Sequence, residues 1–274
     1  MLAESLKLVN SRSKGEAMVV RSIGEHVAAH NWFAVAIDLG IVVLGVLIAT
    51  QVSNWNENRL DAARASSYRA RLLDELDFNQ RQFRAQVAYY SEVRRHGLAA
   101  LAIMDRKREG SPRDYVIHAY QLSQVDTNAP KSYIYDEMTS AGLVELLGDE
   151  TTQAMASDYY LTLATNDRTL KDIFPYRSTI RSVMPFAIQK AIRRMCGDRN
   201  VVYRDRIVGV MLPQDCSAES AATDAAVAKT VIQAAPGLRL EMTRYVASID
   251  EKVDLMSLNL QLTAQFKDRL LETR

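Results

Sequence analysis

The sequence is poor in the residues that define several classes of protein. Its 274 residues include two cysteines, six prolines and eleven glycines, and aromatic side chains make up 7%. This scarcity excludes a disulfide-dense scaffold and a collagen-like chain, and the 48% apolar content excludes a disordered one. The 34 basic and 33 acidic residues leave a net charge of +1, which argues against neutralisation of nucleic-acid phosphates. We therefore expect no nucleic-acid partner.

Motifs for catalysis and cofactor binding are also missing. The sequence has no glycine-rich phosphate loop, no serine nucleophile elbow and no Cys-x-x-Cys pair. Of the four histidines, only His26 and His30 have the helical spacing of metal ligands, and nothing near them in the sequence supplies a third ligand. We therefore expect no cofactor, no metal site and no enzymatic activity.

One long hydrophobic run stands out from this average composition. Between residues 33 and 52, 15 of 20 residues are Ala, Val, Ile, Leu or Phe, and Asp38 is the only charge. As an α-helix these residues rise about 30 Å, the thickness of a bilayer's hydrocarbon core. Trp32 and Trp55, the only tryptophans, flank the run, as expected of side chains that prefer the membrane interface. The pattern predicts a transmembrane helix over 32–55.

Two alternatives to a membrane span fit less well. A cleavable signal peptide has a shorter apolar run, close to the chain start, followed by a small-residue cleavage site. A buried helix of a soluble protein rarely runs this long without a polar stripe. We therefore divide the chain into an amino-terminal tail (1–31), a membrane span (32–55) and a carboxy-terminal domain (56–274).

The orientation of the span is less strongly marked than its presence. Four Lys or Arg residues precede it and four closely follow it, so the positive-inside rule gives no decision. A short leading tail before an uncleaved span favours a cytoplasmic amino terminus. Cys196 and Cys216 would then lie in an oxidising compartment and form a disulfide; two separate buried thiols are the alternative.

The end of the span resembles a known family. Residues 41–59 resemble the apolar helix of single-pass bacterial membrane proteins of unknown function, which ends in a Gln-x-x-Asn-Trp-Asn-Glu signature. The matching residues are Gln51, Asn54, Trp55, Asn56 and Glu57. Residues 140–143, Asp149 and Tyr159–Tyr160 are similar to a second block of that family. The resemblance implies an anchored helical protein of the bacterial inner membrane, with a periplasmic carboxy-terminal domain, and it implies no activity.

Beyond the span, helical patterns dominate. Residues 61–105 contain no proline, and Leu76, Phe83 and Tyr90 recur every seven residues on one face. A helix begins after Asp149, with breaks expected at Pro175 and Pro185, and the last helix covers about 238–271. Residues 196–217 are predicted as loop, with short strands as the alternative. We expect an all-α fold: one transmembrane helix followed by an antiparallel helical bundle with long first and last helices.

Positive charge is concentrated in one segment. Between residues 177 and 206 eight basic residues face two acids, a net charge of +6. The eight are Arg177, Arg181, Lys190, Arg193, Arg194, Arg199, Arg204 and Arg206. Such a patch fits an acidic partner or anionic lipid headgroups, and a solvated helix face is the alternative.

These patterns predict a structural or protein-interaction module held at a membrane. Its expected partners are the lipid bilayer and either another protein or further copies of the same chain. The alternative is an extracytoplasmic ligand-sensing bundle coupled to the transmembrane helix, with a small molecule bound between helices.

Overall fold

A computed structural model describes residues 32–172, 174–214, 216 and 224–272. The predicted tail over 1–31, with His26 and His30, lies outside the described residues. The chain divides into two compact units, Met1–Ala63 and Arg64–Arg274. The fold is mostly helical, and its first and last helices are the longest of the described residues.

The described part of the first unit is helical throughout. It belongs to α1 (Trp32–Met104), which begins at the predicted start of the span and continues through the polar residues after Trp55. The helix is long and apolar enough to cross a membrane, and none of its most apolar stretch is buried against the rest of the chain. This part of the chain is therefore a candidate membrane span.

The second unit contains the remaining elements. The helices are α2 (Pro112–Leu122), α3 (Tyr133–Ser140), α4 (Glu150–Leu170), α5 (Pro175–Val183), α6 (Phe186–Cys196), α7 (Ala225–Ala234) and α8 (Leu238–Glu272). A short 3₁₀ turn covers Val144–Leu147, and two strands, β1 (Arg199–Tyr203) and β2 (Arg206–Met211), lie between α6 and α7.

Several helix boundaries follow from local chemistry. The Asp149 side chain accepts a hydrogen bond from the Thr152 backbone N–H at 2.9 Å and so caps α4, as its sequence position predicts. The predicted breaks at the two prolines are confirmed. Pro175 is the first residue of α5, and Pro185 separates α5 from α6, because proline lacks the N–H that an interior helical position donates.

Two buried clusters form the interior of the second unit. One contains Tyr120, Tyr176 and Tyr245, and the other contains Leu76 and Phe266. Three ion pairs connect α8 to α1 and to the residue that follows α1. The partners, in order along α1, are Asp77 with Lys267, Arg94 with Asp250, and Asp105 with Arg239. The residue numbers run in opposite directions, so these two segments lie antiparallel.

The loop predicted over 196–217 is wrong for residues 199–211. These form an antiparallel hairpin in which Val202 pairs with Ile207 and Tyr203 with Arg206, so the fold is not purely α-helical. The turn places Arg204 and Asp205 at φ 46° and 59°. Two consecutive positive φ values are the geometry of a hairpin turn whose twist matches the strands. Because neither residue is glycine or asparagine, the turn signal in the sequence is weak.

Candidate interaction surface

The eight basic residues of the predicted patch come from three successive elements. Arg177 and Arg181 lie on α5, three more lie on α6, and the other three lie on or beside the hairpin. The structure separates them into two groups. Three of them donate hydrogen bonds to polar atoms elsewhere in the fold. The other five form no ion pair among the described residues.

Two of the engaged arginines close the end of α2. Arg177 and Arg181 both donate to the carbonyl oxygen of Ser123, and Arg181 also donates to the Ser123 hydroxyl at 3.1 Å and to Gln124 Oε1 at 2.9 Å. The last carbonyls of a helix have no partner within the helix and carry its negative dipole end, so cations are favoured there. Burial lowers the pKa of Arg181 from its usual value. These two arginines stabilise the fold.

The third engaged arginine attaches the hairpin to α1. Arg206 donates from both terminal nitrogens to the two oxygens of Asp74, each at 3.0 Å, and this bidentate bond raises its pKa. Further along α1 the hairpin backbone also comes close to the helix: a Cβ at Gly209 would lie 2.8 Å from the Cβ of Ala85. The hairpin is thus fixed in place by an ion pair and by a close backbone approach.

The remaining five basic residues have no acidic partner among the ion pairs of the described residues. They are Lys190, Arg193, Arg194, Arg199 and Arg204, and we call them, with Phe186, Val202 and Ile207, the cationic surface. On α6, Phe186, Lys190, Arg193 and Arg194 have the spacing of one helix face. The guanidinium of Arg193 lies 5.8 Å from the centre of the Phe186 ring, whose side chain is 70% exposed.

The hairpin carries exposed apolar area of its own. Val202 and Ile207 are cross-strand neighbours on its outer face, 60% and 51% exposed, and Arg204 lies in the turn next to them. Of the two acids in the segment, Asp198 accepts a hydrogen bond from the Tyr89 hydroxyl at 3.2 Å, and Asp205 lies in the turn. These residues therefore combine cations that form no ion pair among the described residues with exposed apolar side chains. An interface and a solvated face both stay predictions.

A disulfide closes the segment that carries the hairpin. Cys196, the last residue of α6, is bonded to Cys216, with their Cα atoms 5.2 Å apart. The structure thus contains the predicted disulfide and not two separate buried thiols. The bond encloses β1 and β2, so it limits how far the hairpin can move from the end of α6.

The signature residues of the span occupy exposed positions on α1. Gln51, Asn54, Trp55, Asn56 and Glu57 form part of one uninterrupted helix, and Ser53 donates to Glu57 at 3.3 Å. Trp32 and Trp55 are both exposed. Their exposure and their places in the sequence fit the predicted membrane interface, and their role stays a prediction.

Two buried polar contacts in the second unit involve residues that no sequence motif marks. Glu75 accepts from the Tyr160 hydroxyl at 2.6 Å and from the Ile134 backbone N–H at 2.9 Å, and burial raises its pKa. The Nδ1 atoms of His96 and His118 lie 2.7 Å apart, so one of them carries the shared hydrogen. Burial, helped by the charges of His118 and Arg95, lowers the pKa of His96 to about 3. Both contacts join residues distant in sequence, which pattern analysis does not detect.

Within the described residues, no three His, Cys, Asp or Glu side chains converge as a metal site. No family model, curated protein or solved structure matches this chain. The resemblance based on the Gln-x-x-Asn-Trp-Asn-Glu signature therefore stays a prediction.

Proposed function

We propose that this chain is a membrane-anchored helical protein without enzymatic activity that binds a partner through its second unit. The proposed span is 32–55, and the proposed architecture of the second unit is an antiparallel bundle built on α1 and α8. The exposed apolar side chains of the first unit support the anchor, because none of the described residues buries its most apolar stretch. Two ion pairs between α1 and α8, and a third between α8 and Asp105 just after α1, support the bundle.

We infer a cytoplasmic amino terminus and an extracytoplasmic second unit. The Cys196–Cys216 disulfide supports this orientation, since disulfides persist in oxidising compartments and are rare in the cytosol. The bacterial inner membrane as the location rests on the family resemblance. Alkylation of thiols in intact cells, before and after reduction, tests the orientation: protected cysteines agree with it, and freely alkylated cysteines contradict it.

The cationic surface is the proposed site of interaction, and its partner is an acidic protein surface or a second copy of this chain. The observation that carries this proposal is the division of the basic residues. Arg177, Arg181 and Arg206 donate hydrogen bonds to other parts of the fold, whereas the other five cations form no ion pair among the described residues. Three exposed apolar side chains lie in the same stretch of sequence. Charged groups without internal partners guide association and select partners more than they stabilise a fold.

A charge-reversal variant tests this proposal. The variant is the full chain with Lys190→Glu, Arg193→Glu and Arg194→Glu. The wild-type chain should crosslink to a partner in membranes and co-purify with it in detergent, and the variant should do neither. The matched control reverses Arg84, Arg168 and Arg244, which lie outside the surface and give the same change in net charge. Loss in the first variant alone agrees with the proposal. Equal retention, or equal loss in both, contradicts it.

The ligand-sensing alternative has one observation in its favour. A cavity of about 240 Å³ lies beside the stacked rings of Tyr135 and Tyr160, which are 4.3 Å apart, and Asp136 and Asp167 also line it. This volume admits a small molecule. Thermal stabilisation of the partner-free chain by a small molecule, lost on Tyr135→Ala, would favour the alternative over the interaction module.

A further inference from the structure

Helix α6 presents one side to the fold and the other to solvent. Its buried side contains Ile188 and Ile192. Its exposed side is the helical part of the cationic surface, and we call it the α6 face; it consists of Phe186, Lys190, Arg193 and Arg194. The helix has 11 residues, so the face is about 16 Å long. An exposed amphipathic face of this kind is what a helix offers to a groove on a partner.

A groove of the second unit lies between α4 and α8. The two helices contact each other beneath it: the Tyr159 hydroxyl lies 3.1 Å from Thr263 Oγ1, and Asn166 Nδ2 donates to Asn259 Oδ1 at 2.7 Å. The groove has a volume of about 380 Å³ and extends along α4 over residues 151–162, which is about 16 Å of helix. We call it the α4–α8 groove. Its length on α4 equals the length of the α6 face.

The lining of the α4–α8 groove suits an aromatic side chain. Met155, Tyr159 and Leu262 give it apolar surface. Leu161 on α4 and Leu258 on α8, each within about one turn of a lining residue, are 66% and 43% exposed. The volume lies in the range of sites that hold small molecules, so one phenylalanine ring fits. A ring that enters here removes apolar surface of both helices from water.

The charge around the groove is negative. Asp158 is the only charged side chain among the described residues that line it. On α8, Asp254 lies one turn before Leu258, and Asp268 lies one turn after Gln265. All three carboxylates are exposed, and none forms an ion pair among the described residues. Residues 150–166 of α4 contain no basic residue.

The bases on the neighbouring part of α8 have partners elsewhere. Arg269 pairs with Asp149 at 2.6 Å, and Lys267 pairs with Asp77 at 3.2 Å. Lys252, the only base between residues 245 and 266, is buried and donates to two backbone carbonyl oxygens. The three carboxylates are therefore not neutralised by the bases of α8.

We propose that the partner is a second copy of this chain, whose α6 face binds in the α4–α8 groove. The proposal rests on the proposed function of the cationic surface and names its partner. The Phe186 ring enters the groove, and the three cations of the α6 face pair with the three carboxylates around it. An external acidic protein would match the cations alone, whereas a second copy also fills the groove with a face of equal length and opposite charge. The two surfaces differ, so the contact is heterologous.

Self-association of the purified full chain tests this contact. The chain is reconstituted alone in phosphatidylcholine vesicles, which have no net charge and contain no other protein. Resonance energy transfer between carboxy-terminal fluorescent tags then reports association of two copies. The wild-type chain should show transfer that decreases when unlabelled wild-type chain is added.

Reversing the charge of each surface identifies the two sides of the contact. The cation variant carries Lys190→Glu, Arg193→Glu and Arg194→Glu. The groove variant carries Asp158→Lys, Asp254→Lys and Asp268→Lys. Each should weaken self-association at least about tenfold, because like charges then face each other. The chain with all six changes should regain most of the transfer, because opposite charges face each other again.

The control for the groove variant reverses three exposed acids elsewhere in the second unit and gives the same change in net charge. It carries Glu109→Lys, Glu145→Lys and Asp224→Lys. Transfer in this control should equal that of the wild type. Equal loss in the control and in the groove variant, or no recovery in the six-fold variant, would overturn the proposal.

Phe186→Ala tests the docked ring without a change in charge. It should weaken self-association at least about tenfold, because a buried aromatic anchor carries much of the binding energy of an interface. Leu240→Ala is the control, since Leu240 is 53% exposed and lies outside the groove. Wild-type transfer in Phe186→Ala would contradict docking of the α6 face.

Absence of transfer in the wild-type vesicles would also overturn the second copy as partner. The proposed function would then be judged separately, by crosslinking in native membranes. A different protein that crosslinks to the wild-type chain and not to the cation variant would keep the cationic surface as the site of interaction and reject only the second copy. No crosslinked partner of any kind would reject both.

Discussion

The apolar side chains of the first unit and those of the second have opposite environments. Leu44, in the middle of the apolar run, is 59% exposed, whereas Phe83, on the same helix within the second unit, is fully buried. Apolar exposure costs about 1.5–3 kcal/mol for each large side chain relative to burial. The second unit covers its apolar residues with its own helices. Within the part of the chain that the structure describes, the most apolar stretch of the first unit is not covered, and this difference makes that stretch a candidate membrane span.

The largest expected effect comes from exchanging a buried side chain for a small one in the second unit. Phe83→Ala should lower the free energy of unfolding by about 3–5 kcal/mol, because it removes buried apolar area and leaves a cavity. Leu44→Ala should change it by less than about 0.5 kcal/mol, since no neighbour within the chain packs against this side chain. Thermal unfolding of the full chain in detergent measures both. If both variants lost similar free energies of unfolding, the apolar side chains of the two units would not differ in their environment as described.

The disulfide should have the next largest effect, and only on the second unit. Its cysteines are 20 residues apart. Closing a loop of this length stabilises a protein by about 3 kcal/mol through the reduced freedom of the unfolded chain. Cys196→Ser with Cys216→Ser should lose about this amount while leaving membrane attachment unchanged. Unaltered stability of the double variant, measured by denaturant unfolding, would mean that the bond contributes nothing to the fold.

Glycines of the two units should also respond differently to substitution. At Gly209 a new methyl group would lie 2.8 Å from the Cβ of Ala85, whereas at Gly40 nothing lies within 4 Å. Gly209→Ala should therefore cost about 1–3 kcal/mol from overpacking between the hairpin and α1. Gly40→Ala is the control and should cost nothing in the same unfolding measurement. A harmless Gly209→Ala would contradict the close approach of the hairpin.

The smallest expected effect is the acid sensitivity of the second unit. The pKa of His96 is about 3 in the folded state, below the usual value of 6.5, so between these pH values the unfolded chain binds more protons. Stability is therefore full above about pH 6.5 and decreases on acidification, by about 1–2 kcal/mol between pH 7 and pH 5 from this group.

His96→Gln isolates the contribution of the histidine pair. The variant loses the hydrogen bond to His118 at every pH, about 1 kcal/mol, and should have a flatter dependence of unfolding free energy on pH. Denaturant unfolding at pH 5, 6 and 7 tests this. If the free energy of unfolding fell equally for the variant and the wild type between pH 7 and pH 5, the claim that His96 is buried and neutral would be wrong.

Local patterns in the sequence predicted those helix boundaries that depend on a few neighbouring residues. The cap at Asp149 and the breaks at Pro175 and Pro185 depend on residues within one turn of helix, and all three are confirmed. The length and lack of charge in the apolar run likewise indicated a candidate span. The hairpin was missed because its turn residues, Arg204 and Asp205, are unusual at positive φ.

The division of the cationic patch depends on contacts that no local pattern contains. Arg206 pairs with Asp74 across 132 residues of sequence, and Arg181 contacts Ser123 across 58. Counting charges between 177 and 206 therefore could not show that three of the eight have polar contacts within the fold.

Membrane attachment is the most direct test of the account. The full chain, expressed in bacteria, should stay with the membrane pellet through washing with high salt and alkaline carbonate, and should enter the supernatant only with detergent. This behaviour is expected because the apolar side chains around Leu44 are exposed and the proposed span places them in lipid. Recovery of the folded full chain in the supernatant without detergent would contradict the membrane span and the function proposed from it.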